Sequence, residues 1–128
     1  MTDQDRARSI TRSVSRADAI FNIGRASLVV EALRNGNLEL LQKVMDDRIH
    51  QPYRLKHITG GMAAYKTAKQ FGVAALSSAG PAIITFLRPE NAEQAARRIV
   101  DKFKEQGVES RSIVTKPSMR GAMVVSRG

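Results

Sequence analysis

Three short stretches of the chain carry side chains able to do chemistry. The first is Asp18, Asn22 and Arg25, at i, i+4 and i+7, a spacing that puts them in one row along a helix. The segment around them, Ala17 to Leu33, is otherwise apolar nearly all round, and a polar row on such a surface needs partners. Two readings are open for it. In one, Asp18 caps the helix and Arg25 satisfies a neighbouring carbonyl or carboxylate; in the other, Arg25 turns its planar fork to the carboxylate or phosphate of a ligand. The second stretch is His50-Gln51-Pro52-Tyr53-Arg54. Because proline cannot continue a helix, the segment is expected to be an extended connection, which would set an aromatic ring and a second guanidinium on a ligand-facing loop. Its alternative is a surface arginine with Tyr53 packed on the helices. The third is Ser77-Ser78-Ala79-Gly80-Pro81 between two apolar runs, either a hairpin turn of small residues or a nest of successive N–H groups for an anion.

Other chemistries find no support. His50 and His57 are the only histidines, and with Asp46 and Asp47 they match no zinc spacing. The absence of cysteine excludes disulfides and thiolate metal sites. No phosphate-cradling G-x-x-x-x-G-K-[ST] or G-x-G-x-x-G occurs, and no serine has a plausible His and Asp set. Neither nucleotide binding by such a loop nor a covalent nucleophile is expected of these residues.

The elements that must position the three stretches follow from the apolar pattern. Residues 1–15, with Arg6, Arg8 and Arg12, read as a loosely held basic leader, and the domain proper as 16–128. Ser15 and Asp18 begin a helix with capping-box character, and Asn35-Gly36 stops it. Asn37 caps a second helix whose Leu38, Leu41, Val44 and Met45 recur at helical spacing ahead of Pro52. A third runs from about Gly61 to Gln70 and closes at Gly72. The period then shortens: Val73 to Leu76 and Ala82 to Leu87 read as strands. Asn91 caps a long helix with Ala95, Ala96, Ile99, Val100 and Phe103 on one face, and Gly107 ends it. Val108 to Thr115 and Ala122 to Ser126 read as two further strands around a turn at Pro117 and Gly121. This order predicts an α+β fold with helices packed on one face of a mainly antiparallel four-stranded sheet.

Composition agrees with a single core. The chain has 128 residues, of which 42% are hydrophobic and 5% aromatic, so Ala, Val, Ile and Leu must fill the interior. Its net charge of +9, from 21 Lys and Arg against 12 Asp and Glu, raises the question of a polyanionic partner, but the basic residues are scattered. The strands offer Phe86 without a second aromatic in a stacking pattern, so no nucleic-acid partner is expected. Neither a signal-peptide core nor an apolar run of roughly 20 residues is present, and the expected setting is cytoplasmic, with no membrane.

Taken together, Asp18-Ala19-Ile20-Phe21-Asn22-Ile23-Gly24-Arg25-Ala26, His50 to Arg54, and Gly72-Val73-Ala74-Ala75-Leu76-Ser77-Ser78-Ala79-Gly80-Pro81 strongly resemble the C-terminal domain of the homoserine kinases, members of the GHMP kinase family. The similarity runs from about Val14 to Val125, with three motifs in order. It implies ATP- and Mg²⁺-dependent phosphorylation of the homoserine hydroxyl, a step toward threonine, in a ferredoxin-like C-terminal domain that meets an N-terminal domain over the active site. It further implies that Arg25 and Arg54 hold the amino-acid substrate, with Asn22 and His50 in support, and that Ser77, Ser78, Ala79 and Gly80 lie against the phosphate-binding loop. The family's N-terminal domain, which binds ATP and Mg²⁺, is absent from these residues, so a partner domain in cis or in trans is implied and the chain alone is expected to be inactive. The face left open by that domain could also drive homodimer formation. Ser78 stands where the family loop has its first glycine, and would be strained if the position needs positive φ. The competing reading is a non-catalytic amino-acid-binding or interaction module of the same fold.

Overall fold

In the computed structural model, which describes residues 13–126, the first apolar segment is helix α1, Arg16–Arg34. The leader expected over residues 1–15 lies, as far as residue 12, outside the described residues. Ser15 starts α1 as foreseen: its hydroxyl oxygen accepts the Asp18 N–H at 3.0 Å while its O–H donates to the Asp18 carboxylate at 2.8 Å, satisfying a donor that the first turn leaves open. Gly36, at φ +62°, reverses the chain after α1, and Asn37 caps α2, Leu38–Val44, by accepting the Leu40 N–H at 2.9 Å. The two helices form a hairpin and pack on one another.

Helix α3, Gln51–Arg54, continues into a 3-10 turn, Leu55–His57. This overturns the extended connection expected at His50 to Arg54. Pro52 sits in the first turn of α3, where its missing N–H has no intrahelical partner to lose and its fixed φ favours the helix. Helix α4, Gly61–Phe71, leads through Gly72 into β1, Val73–Leu76, and β1 pairs antiparallel with β2, Ile83–Phe86, so that Val73 faces Phe86 and Leu76 faces Ile83. A 3-10 turn, Pro89–Asn91, then opens α5, Ala92–Glu105. Asn91 holds the cap position without a capping side-chain hydrogen bond; its N–H closes the preceding turn on Arg88.

Helix α4 packs on α5 and on both strands, while α2 touches β1. All of β1 is buried, as a strand covered by helices must be. Ala32, Leu41 and Val73 form the centre of a cluster with Val29, Leu38, Leu40, Met45 and Phe86 around it, and Ala95 and Phe103 bury the predicted face of α5. The core is aliphatic, as the composition demanded.

Among the described residues the sheet has two strands. The strands expected over 108–115 and 122–126 are not formed; residues 109–126 are exposed and without regular pairing, with Ile113 75% and Val125 91% exposed. The segment 108–115 has Val108, Ile113 and Val114 as its only apolar side chains, divided between the two faces a strand would have. Neither face could bury enough apolar surface on the helices to offset the entropy of ordering the segment.

Gly72 makes the join between α4 and β1. A Cβ there would collide with the main-chain oxygen of Phe86 and with Leu87, so the close approach of the two strands at this end needs a residue without a side chain. Replacing Gly72 by Ala is expected to cost about 1–3 kcal/mol, the usual penalty of overpacking, and urea unfolding of the variant against the parent chain measures it.

Candidate functional site

The three stretches singled out in the sequence meet at one cleft. A cavity of about 660 Å³ is lined by Asn22, Arg25, His50, Arg54, Ser78 and Ala79, with Asp47, Gln51 and Leu76 among its other walls. Helix α1 supplies one side, the turn before α3 and α3 itself the second, and the loop between β1 and β2 the third.

The polar row of α1 finds its partners in the segment that follows α2. Asn22 donates from Nδ2 to the Asp47 carboxylate at 2.7 Å and accepts the Arg48 N–H at 3.0 Å, while Asp18 lies 3.6 Å from the Arg48 guanidinium. Asn22 therefore acts as a clip between α1 and residues 47–48 and lines the cleft at the same time. Asp47 in turn accepts the N–H groups of Ile49 at 2.7 Å, of His50 at 3.0 Å and of Gln51, and so holds the turn that leads into α3, whose cap position is His50. Partial burial, the largest single influence, pushes the Asp47 carboxyl up; the donors from Gln51, Asn22, Ile49 and His50 together outweigh it and hold the group below its ordinary value of 3.8.

Gln51 is buried and fastens α3 to the strands: its Oε1 accepts the Leu76 N–H at 2.8 Å, and its Nε2 reaches the Met45 carbonyl at 3.5 Å. Leu76 is the last residue of β1, so this bond sits directly ahead of the Ser77 to Pro81 loop. Within that loop Ser77 donates to the Ala82 carbonyl at 2.8 Å and Gly80 to the Ser77 carbonyl at 3.0 Å. The N–H groups of Ser78 and Ala79 take no part in these bonds, an arrangement able to receive an anion. Ser78 adopts φ +52° and Gly80 φ +81°, so the serine does occupy a left-handed position that favours glycine.

Arg25 is held from α1 itself. Its Nη1 donates to the Phe21 carbonyl at 3.3 Å and its guanidinium lies 3.4 Å from the centre of the Phe21 ring. The Arg48 guanidinium is 3.8 Å from the centre of the same ring, so one aromatic ring serves two cations. Among the described residues the Arg25 Nε is buried without a hydrogen-bond partner, a donor still open to an acceptor. Arg54 projects into the same cleft from the end of α3. Two guanidinium groups and two free amides thus surround a space fit for a small anionic ligand. No group of three or more His, Asp or Glu able to hold a metal ion occurs among the described residues, and among them no helix is long and apolar enough to cross a membrane.

Residues 29–105 match the model of the GHMP kinase C-terminal family. The chain belongs to that family. GHMP kinase relatives extend the match: the homoserine kinase of Desulfitobacterium hafniense is 36% identical over 115 residues, 88% of this chain and 39% of its own length, and that of Synechococcus sp. RCC307 is 30% identical over 124 residues, 95% and 40%. The chain thus spans about two fifths of the length of these relatives. A crystal structure of homoserine kinase from Cytophaga hutchinsonii superposes with a TM-score of 0.75 at 21% identity, over 82% of this chain and 34% of that one, a likeness of fold.

Sequence reasoning had weighed Asp47 only as a metal ligand and had given Gln51 no part. Four residues separate Asp47 from Pro52, which is no cap spacing, and nothing local marks Gln51.

A carboxyl held below its ordinary value binds its proton less readily in the folded chain than in the unfolded one. Asp47 therefore stabilises the fold above pH 3.8, and that contribution is lost as pH falls through its lower folded value. Asp47→Asn is expected to cost about 1–3 kcal/mol at neutral pH, with the gap to the parent chain closing below pH 3.8; urea titrations across pH read it out. Ser78→Gly should act in the opposite sense and raise stability by about 0.5–1 kcal/mol, strain relief less the entropy of glycine, seen as a higher Tm.

Proposed function

We propose that this chain is the substrate-side domain of a homoserine kinase, catalysing ATP-dependent phosphorylation of the homoserine hydroxyl together with an N-terminal domain supplied in cis or in trans, in the cytoplasm. The observation that carries the reading is the convergence of Arg25, Arg54 and the Ser77 to Pro81 loop on one cleft, with a buried Arg25 donor that the described residues leave unsatisfied. Similarity to homoserine kinases over most of the chain supports it.

In this reading the guanidinium groups of Arg25 and Arg54 take the homoserine carboxylate, a geometry that a planar fork recognises well. Asn22 and His50 line the same space and shape it around the amino acid. ATP supplies the phosphoryl group, and the N–H groups of Ser78 and Ala79 fit a phosphate oxygen laid against the loop. In this reading Mg²⁺, like ATP, is bound mainly by the N-terminal domain. Phosphoryl transfer rests on positioning and electrostatic stabilisation, and what these residues contribute is placement: they fix the acceptor hydroxyl and exclude other orientations.

Calorimetric titration with homoserine and a coupled kinase assay, each with and without a homologous N-terminal domain, test the proposal. Activity that appears only on mixing supports it; homoserine binding with no complementation points instead to a non-catalytic module. In a complete enzyme carrying this domain, Arg25→Ala and Arg54→Ala should each lower kcat/KM for homoserine by about 1.5–3 kcal/mol, roughly ten- to a hundredfold. Arg25→Lys should rescue little, because an ammonium keeps the charge and loses the fork. Unchanged kinetics in both alanine variants would remove the site assignment.

A further inference from the structure

Phe21 belongs to the first motif, yet neither the cleft nor the core accounts for it. It lines none of the cavity and stands outside the aliphatic cluster around Ala32, Leu41 and Val73. Its ring is taken up by two cations: the guanidinium carbon of Arg25 lies 3.4 Å from the ring centre and that of Arg48 3.8 Å. A carbon comes so near the centre of a six-membered ring only above or below its plane, and one face has no room for two guanidinium groups. The two arginines therefore occupy opposite faces of the ring. At van der Waals contact the flat Arg25 group lies nearly parallel to it, since a tilt would drive a nitrogen into the ring.

We propose that Phe21 and Arg48 are positioning residues for Arg25: the ring sets the plane of the fork, and Arg48 holds the ring from behind. This rests on the functional reading above, in which the Arg25 fork takes the ligand's carboxylate. Phe21 and Arg25 are one turn apart on α1, and the Arg25 Nη1 donates to the Phe21 carbonyl at 3.3 Å, so one residue ties the guanidinium at an edge and at a face. Arg48 comes from the turn after α2. Its N–H is held by Asn22 at 3.0 Å, and its guanidinium lies 3.6 Å from the Asp18 carboxylate, which offsets the charge of the rear cation. A long side chain that starts out mobile gives up rotamer freedom when it binds; one already laid on a ring does not. Two parallel N–H···O bonds bring carboxylate and guanidinium into one plane, so the plane of the Phe21 ring sets the plane in which the ligand's carboxylate lies.

Steady-state kinetics on a complete enzyme carrying this domain test the inference, together with NMR of the 128-residue chain. The homoserine carboxylate keeps its charge throughout phosphoryl transfer, so a loosened fork loses binding common to the ground and transition states. Phe21→Leu should therefore raise KM for homoserine about three- to tenfold, with kcat within about twofold and KM for ATP unchanged. Phe21→Tyr keeps the ring and should restore KM. Added to Arg25→Ala, Phe21→Leu should do no further harm, because its effect passes through the arginine. Arg48→Ala should raise KM about two- to threefold, again only while Arg25 is present. In the chain, the Arg25 Nε–H signal should lie upfield of ordinary arginine values under the ring current of Phe21, and return in Phe21→Leu.

A Phe21→Leu effect that adds in full to that of Arg25→Ala, or that Phe21→Tyr does not restore, overturns the positioning role and leaves the kinase reading standing. An Arg25 signal at its ordinary position does the same, by showing that no stack forms. Unchanged kinetics in Arg25→Ala remove the arginine's own role and this inference with it, as does a complete enzyme without activity. Should Phe21→Leu not fold, Arg48→Ala decides: the Arg48 side chain is 54% exposed, and a KM unmoved by its loss overturns the proposal.

Discussion

A carboxylate drawn partly out of water must be given donors, and the way Asp47 obtains them organises the cleft. It takes the Asn22 amide from α1 and the N–H groups of Ile49, His50 and Gln51 from the turn before α3. Each bond is of ordinary strength, but together they join two elements 25 residues apart and begin a helix just where Pro52 permits one. From there the consequences run outward. The start of α3 sets Gln51, Gln51 meets the end of β1, and the end of β1 sets the loop that carries Ser78 and Ala79.

The electrostatics of the cleft are shaped by what surrounds the guanidinium groups as much as by the groups themselves. Arg25 lies over Phe21, with Arg48 close to the same ring and within 3.6 Å of Asp18. An aromatic surface accommodates a cation while supplying no carboxylate to neutralise it, so Arg25 is held at the cleft wall by the ring and the Phe21 carbonyl. A direct ion pair at that position would have filled the fork with an internal acid. The polar row of α1 divides this labour along its length: Asp18 ties Arg48, Asn22 ties Asp47, and Arg25 is left facing the cavity.

Features specified by neighbouring residues were legible in the sequence, and features specified by distant ones were not. Ser15 and Asn37 cap helices because a short polar side chain finds an N–H three residues on, and Val73 to Leu76 and the run around Ile83 are strands because small-residue turns bracket them. At His50 to Arg54 the proline was read as a helix breaker, although in a first turn it is a helix starter; the deciding residue, Asp47, lay upstream. The segment beyond Gly107 has strand-like residues, but a strand exists only in a pairing, and no local pattern reveals whether a partner is at hand. That Arg25, Arg54 and the small-residue loop share a cleft was foreseeable only through family resemblance, since spacing along the chain left each of them with a bland alternative. Gln51 carried no signal at all, because its importance is the coincidence of one amide with the last N–H of a strand.

That amide has a metrical role. Because the Gln51 side chain runs from α3 to Leu76, its length sets how far apart the α3 wall and the β1–β2 loop stand, much as a spacer sets the gap between two plates. Shortening it by one methylene, as asparagine would, takes up about 1.5 Å and would draw the two walls together. The width of the cleft is thus written partly in a residue that holds its walls, and a lineage could narrow or widen it without altering either arginine.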